Sequence, residues 1–142
     1  MNRKQIQMAV CKGMLDQNRR CGGVPLNEDE YAVTTDGYTA FVFSKSEVIF
    51  DTEKVNTLPG LKNIFEDNEK DVELKRTKEY YEYSGRLAEK YVAESFEVYA
   101  YVDVAKPFNN CRLFANSATG RVLAKDDLGR IVGLYMPTKI YK

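Results

Sequence analysis

Residues 31–43 read YAVTTDGYTAFVF, and the clearest sign of the fold lies in this segment. Its two halves are rich in β-branched and aromatic residues, which favour strands. Between them stands Asp36-Gly37, a dipeptide typical of a tight turn or a bulge, because glycine accepts a positive φ. The stretch therefore predicts two antiparallel strands joined by a short turn.

The residues on either side extend this hairpin into a meander. CGGVPL at 21–26 predicts a strand before it, and EVIFD at 47–51 predicts a strand after it. Residues 2–18, NRKQIQMAVCKGMLDQN, show helical spacing of apolar positions and predict an amphipathic helix that packs on the meander. The predicted apolar arc of this helix holds Arg3, Met8, Val10, Cys11, Met14 and Leu15. Gly13 is expected to weaken the helix modestly.

The rest of the chain predicts many strands and little helix. A short helix is predicted from Thr52 to Leu58, where Pro59-Gly60 would stop it, and another within DVAKPF at 103–108. Strands are predicted at 72–83, 96–104, 111–117, 120–125 and 130–140, whereas 86–95 fits a helix or a strand. The predicted fold class is α+β, with a mostly antiparallel curved sheet, or sheets, and helices packed on one face.

Composition limits the class of function. The chain has 142 residues, enough for one core, so 1–142 is expected to form a single domain. Lys and Arg together number 21, as do Asp and Glu together, so the formal net charge is zero. A contact with nucleic acid or an anionic membrane therefore needs a local basic face.

No apolar run approaches the roughly 20 residues of a membrane span, and the first residues lack a signal peptide's apolar core. We expect a cytoplasmic protein without membrane contact.

Histidine is absent from the sequence. This excludes Ser-His-Asp and Cys-His catalysis and metal sites built on histidine. Cys11, Cys21 and Cys111 are scattered, without CxxC spacing, and indicate neither a disulfide framework nor a zinc site. We therefore expect no cofactor, no metal and no catalytic residues. An enzyme that uses carboxylate, lysine or tyrosine chemistry is the minority alternative.

The N-terminal region is the most basic part of the chain. Arg3, Lys4, Lys12, Arg19 and Arg20 are opposed there only by Asp16. On the predicted helix Lys4 and Lys12 lie about 80° apart, so both can face one ligand. Such cations bind DNA phosphates without reading sequence, whereas the alternative is an ordinary solvated surface.

The order of these features resembles the bacterial DNA sliding clamp, the β subunit of the replicative polymerase. In that family a helix and a short strand precede a strand that runs into an ATDG-like turn. Thr35, Asp36, Gly37 and Tyr38 stand in the places of this turn. The family's chains close on a Met-Pro-x-basic-aliphatic signature, which Met136, Pro137, Lys139 and Ile140 match. The charged middle of the chain has no counterpart in this resemblance.

The resemblance implies a clamp-like domain of two halves related by a pseudo-twofold axis, here 1–71 and 72–142. Helices of the family line a ring and touch the DNA backbone, which implies backbone contacts by Lys4, Lys12 and Arg3, with Arg19 and Arg20 beside them. The family's terminus borders a hydrophobic pocket for peptides of replication proteins. By position, this pocket would include Met136, Pro137, Thr138 and Ile140. One domain cannot encircle DNA, so the chain would form a homo-oligomer or no ring at all.

The leading interpretation is a non-enzymatic, clamp-like protein of a phage or another mobile element. It would bind the backbone of duplex DNA or a replication partner, as processivity factors do. The alternative is a protein-interaction or inhibitory module that makes no DNA contact.

Overall fold

A computed structural model describes residues 2–118 and 120–138, and the chain divides into two compact units between Glu66 and Asp67. The α+β class predicted from the sequence is confirmed, since the strands are mostly antiparallel and the helices few. The predicted halves meet between 71 and 72, whereas the units meet between 66 and 67. The pseudo-twofold relation of the halves stays a prediction. No helix in the described ranges is long and apolar enough to span a membrane.

The first unit is a helix followed by a three-stranded antiparallel meander. Helix α1 covers Arg3–Leu15, and strands β1 (Gly22–Pro25), β2 (Glu30–Thr34) and β3 (Thr39–Ser44) pair in the order β1-β2-β3. The Asp36 carboxylate accepts hydrogen bonds from the Tyr38 and Thr39 amides at 2.8 and 2.9 Å, and Gly37 has a φ of 81°. The hairpin predicted from 31–43 is therefore present, with its turn at the predicted dipeptide.

One face of α1 is buried against the first unit's core. Asn2 caps the helix, and Ile6, Gln7 and Val10 are buried. The apolar members of this face pack in a cluster with Cys21, Tyr31, Val33 and Phe43. The predicted apolar arc is wrong at its edge, because Met8 and Leu15 are 57% and 84% exposed.

The buried face of α1 includes a polar residue, Gln7, and is rotated away from Met8 and Leu15 toward Ile6. Gln7 is buried because both ends of its amide are bonded: Nε2 donates to the Glu47 carbonyl at 3.2 Å and Oε1 accepts from the Ile49 amide at 2.7 Å. A buried polar group is tolerated when it is hydrogen-bonded. The helix therefore turns Gln7 inward and leaves Met8 and Leu15 in solvent.

Two predictions for the segment after β3 are wrong. EVIFD is not a strand, because Glu47 ends a 3₁₀ turn, Lys45–Glu47, and the Ile49 amide donates to Gln7 instead of to a ladder. The helix predicted from Thr52 is only a 3₁₀ turn, Thr52–Lys54, and helix α2 (Pro59–Ile64) begins at the proline expected to stop it. Proline suits the first helical position because the N–H that it lacks would have no partner there.

The second unit arranges its strands in two antiparallel groups. β4 (Val72–Glu73), β8 (Arg112–Ala115), β9 (Val122–Lys125) and β10 (Ile131–Tyr135) pair in the order β4-β8-β9-β10. β5 (Lys75–Tyr83), β6 (Arg86–Val92) and β7 (Glu97–Tyr101) pair in the order β5-β6-β7. Between β7 and β8 lie helix α3 (Val102–Ala105) and a 3₁₀ turn, Lys106–Phe108. A short helix thus precedes the β8-β9-β10 meander, as α1 precedes β1-β2-β3.

The ambiguous segment at 86–95 forms strand β6 up to Val92. The strand predicted at 130–140 ends at Tyr135. After it, the Thr138 amide donates to the Tyr99 carbonyl at 2.8 Å as an isolated antiparallel bridge to β7. Pro137 has no N–H to donate to a ladder, which explains why regular pairing stops before it.

Candidate nucleic-acid interface

The outer face of α1, opposite its buried residues, holds Lys4, Met8, Lys12 and Leu15. These positions recur every three or four residues, so they line one side of the helix. All four are exposed to solvent. Lys4 and Lys12 are separated by about 12 Å along the axis at about 1.5 Å per residue. Because the opposite side of α1 is fixed to the core, this spacing is rigid.

Neither lysine of the outer face has a carboxylate partner within the part of the chain that the structure describes. Asp16, the acidic residue nearest in sequence to Lys12, caps the C-terminus of α1 through its backbone N–H. The two ammonium groups are therefore available to an external anion.

Arg3 was predicted to join this basic face, but its guanidinium is bonded within the first unit. It donates to the Glu47 carboxylate at 2.6 and 3.1 Å and to the Val42 carbonyl at 2.9 Å. It also lies over the Phe43 ring, 4.3 Å from the ring centre. The hydrogen bond from Arg3 lowers the pKa of Glu47, so the carboxylate stays ionised. Arg3 thus links α1 to the end of β3.

Arg19 and Arg20 lie in the loop that follows α1, and both are exposed. This loop contacts the β2–β3 turn, because the Asn18 side-chain amide donates to the Thr35 carbonyl at 3.4 Å. The Arg20 guanidinium lies 5.8 Å from the centre of the Tyr38 ring, which is 55% exposed. The structure therefore places these two arginines and Lys12 at one end of α1, and Lys4 toward the other.

The predicted partner pocket falls on the segment after β10. Met136 is 37% exposed, and Pro137 and Thr138 are half-buried. The bond from Thr138 to Tyr99 fixes this segment against β7. Ile140, with Lys139, lies outside the described residues. Met136 is thus accessible to a partner, and Pro137 is accessible in part.

Three side chains beside the predicted cations are exposed although their exposure was not predicted, namely Met8, Leu15 and Tyr38. The signal for the first two was the spacing 4, 8, 12 and 15, which places them with the lysines rather than with Val10. Within residues 2–118 and 120–138, no group of three or more Cys, Asp or Glu side chains is placed to hold a metal ion.

No protein-family model, no curated protein and no solved structure matches the chain. The resemblance to the sliding clamp therefore stays a prediction from the sequence.

Proposed function

We propose that this chain is a non-enzymatic, clamp-like protein that binds the backbone of duplex DNA through the outer face of α1. The observation that supports the proposal is the pair Lys4 and Lys12, exposed on one side of a helix whose other side is fixed to a sheet. Ammonium groups held in this way neutralise phosphates whatever the base sequence. Arg19 and Arg20 extend the same basic surface at the end of the helix.

The proposal includes self-association. Four cations in one copy support only weak binding, because each phosphate contact contributes a small, salt-dependent term. Several copies that present α1 to the same duplex would add their contacts, with a large gain in avidity. The proposed setting is the cytoplasm, where DNA of a phage or another mobile element is replicated. Light scattering on the purified chain should give a mass of several copies.

The test is a fluorescence-anisotropy titration of a labelled 30-base-pair duplex. We expect Lys4→Glu/Lys12→Glu to weaken binding by about tenfold or more, because two attractive contacts become repulsive. The matched control is Lys54→Glu/Lys62→Glu, which makes the same change in charge at two exposed lysines elsewhere in the first unit. The control should change the affinity by less than about twofold. Equal losses in both variants, or no binding by the wild type, would refute the proposal.

A second candidate function, a protein-interaction module without DNA contact, is favoured by a different observation. Met8 and Leu15 expose 57% and 84% of their surface beside the lysines, and Met136 exposes 37%. A helix face with apolar anchors and flanking charges suits a groove or helix of another protein. Met8→Ser/Leu15→Ser separates the candidates. It should leave duplex binding intact if the lysines dominate. Absence of duplex binding by the wild type, together with loss of self-association in this variant, would favour the protein interface.

A further inference from the structure

A half-open cavity of about 380 Å³ lies in the first unit, and no residue of the outer face of α1 lines it. Its lining combines four apolar or aromatic residues with three polar ones: Pro25, Tyr31, Val48 and Phe50, and Lys45, Thr52 and Thr57. A volume of this size is within the range of small-molecule sites, which combine apolar walls with a few polar groups.

Tyr31 gives the cavity an unused donor. The residue is only 5% exposed, and its ring meets Phe50 edge to face, with centroids 6.1 Å apart. Its hydroxyl makes no hydrogen bond to a described residue, and it is not fully buried, since among the described residues the fully buried hydroxyl without a partner is that of Tyr135. A phenol hydroxyl that reaches solvent can donate to a ligand. Burial raises the pKa of Tyr31, so the phenol keeps its proton and remains a donor.

Lys45 gives the cavity a positive charge. Its backbone N–H donates to the Asp29 carbonyl at 2.8 Å, which fixes the start of the turn after β3. Its side chain is exposed and has no carboxylate partner among the residues described. An ammonium without a carboxylate partner and a phenol O–H that line the same cavity favour an anionic acceptor.

The backbone around the wall formed by Val48 and Phe50 is bonded to two residues of α1. Gln7 bonds the backbone of Glu47 and Ile49, and Arg3 bonds the Glu47 side chain. A site whose walls are fixed beforehand loses little conformational entropy on binding.

We propose that this cavity binds a small aromatic anion, that is, a flat ring that carries a carboxylate or a phosphate. The ring contacts Phe50 and Tyr31, and the anionic group accepts from the Lys45 ammonium and the Tyr31 hydroxyl. The Thr52 hydroxyl is a further polar group on the rim. This ligand site does not depend on DNA binding by α1.

The proposal is tested on the full chain by ¹H–¹⁵N NMR titration with benzoate and with phenyl phosphate, which distinguish the two anionic groups. At least one should cause saturable shifts confined to the amides around Tyr31 and from Lys45 to Thr52. Benzyl alcohol, a neutral compound of similar size, and inorganic phosphate, which has no ring, should bind at least about tenfold more weakly, since a charge-assisted bond or the ring contact is lost. Equal binding of benzyl alcohol or inorganic phosphate would overturn the proposal, as would the absence of saturable shifts from both aromatic anions.

Two variants assign the site. Tyr31→Phe removes only a hydroxyl that makes no hydrogen bond to a described residue, so the free energy of unfolding should not change. The Kd of the anion should rise about fivefold or more. Lys45→Met should raise this Kd by about tenfold, whereas Lys54→Met, at an exposed lysine outside the cavity lining, should leave it unchanged. An unchanged Kd in both Tyr31→Phe and Lys45→Met would contradict the proposal.

Discussion

The guanidinium of Arg121 lies 2.9 Å from the carboxylate of Asp71, and their side chains are only 3% and 6% exposed. A second bond, at 3.0 Å, makes the pair bidentate, and the Asn116 amide donates to the same carboxylate at 2.6 Å. Burial by itself would raise the pKa of Asp71, but the hydrogen bonds from Arg121 and Asn116 outweigh it and lower this pKa. A buried ionic network thus links the start of β4 to the end of β8 and the start of β9.

We expect Asp71→Asn to lower the free energy of unfolding by about 3–5 kcal/mol at pH 7, because the buried Arg121 guanidinium would lose the negative charge of its bidentate carboxylate partner. Urea denaturation measures this loss. Asp67→Asn is the matched control, since Asp67 pairs with Lys125 at 2.7 Å but is 63% exposed. The control should cost less than about 1 kcal/mol. Equal costs would show that burial of the pair does not matter.

The same network predicts how stability depends on pH. A carboxylate whose pKa is lower in the folded than in the unfolded state stabilises the fold. This stabilisation is fully present above the unfolded-state pKa, which is about 3.9 for aspartate. This contribution is lost as the pH falls through the folded-state pKa. The difference in stability between wild type and Asp71→Asn should therefore be constant from pH 7 to about 5 and shrink at lower pH. A difference that stays constant down to pH 2 would contradict the lowered pKa.

Gly13 is a point of close approach between α1 and the start of β1. A Cβ at this position would lie 2.6 Å from the Cys21 sulfur and 2.9 Å from the Cys21 Cβ. Glycine to alanine in a helix normally gains about 1 kcal/mol, but overpacking here should cost about 1–3 kcal/mol. Gly60→Ala in α2, where a Cβ meets nothing within 4 Å, should be neutral or stabilising. Thermal unfolding of the two variants compares them, and a gain from Gly13→Ala would refute the close approach.

Tyr135 has a buried hydroxyl without a hydrogen-bond partner in the described part of the chain. Tyr91 lies nearby, but its hydroxyl and that of Tyr135 do not form a hydrogen bond. Burial, with the nearby Tyr91 and Glu89, raises the pKa of Tyr135. Tyr135→Phe should therefore stabilise the fold by about 1 kcal/mol, because an unsatisfied polar group is removed. Tyr99→Phe is the control, since the Tyr99 hydroxyl donates to Glu97 at 2.9 Å, and it should destabilise by a similar amount. Chemical denaturation that ranks the two variants in the opposite order would contradict this account.

The parts of the fold that were predictable have local causes. The hairpin at 31–43 follows from its own turn chemistry, because the Asp36 carboxylate bonds amides two and three residues later. The segment at 47–51 resembles a strand in composition but is held by Gln7, 42 residues away from Ile49. A local pattern contains no sign of such a partner.

In the candidate interface, too, the predictable residues are those whose exposure has a local cause. The exposure of Lys4 and Lys12 follows from the helical period alone. The guanidinium of Arg3, in contrast, is bonded to Glu47, which lies 44 residues along the chain. The buried face of α1 likewise includes Gln7 and leaves out Met8 and Leu15. A hydropathy pattern counts glutamine as a surface residue and does not predict this. Long-range hydrogen bonds of polar side chains are therefore the contacts that the sequence pattern did not predict.

The salt dependence of duplex binding shows whether the outer face of α1 contacts DNA phosphates. If Lys4, Lys12, Arg19 and Arg20 each neutralise one phosphate, the slope of log K against log salt concentration should be about −3.6 for each bound copy. Lys4→Gln/Lys12→Gln should reduce the size of this slope by about 2, while Lys54→Gln/Lys62→Gln should leave it unchanged. An affinity that does not vary with salt, or the same slope in wild type and Lys4→Gln/Lys12→Gln, would contradict DNA binding by the outer face of α1.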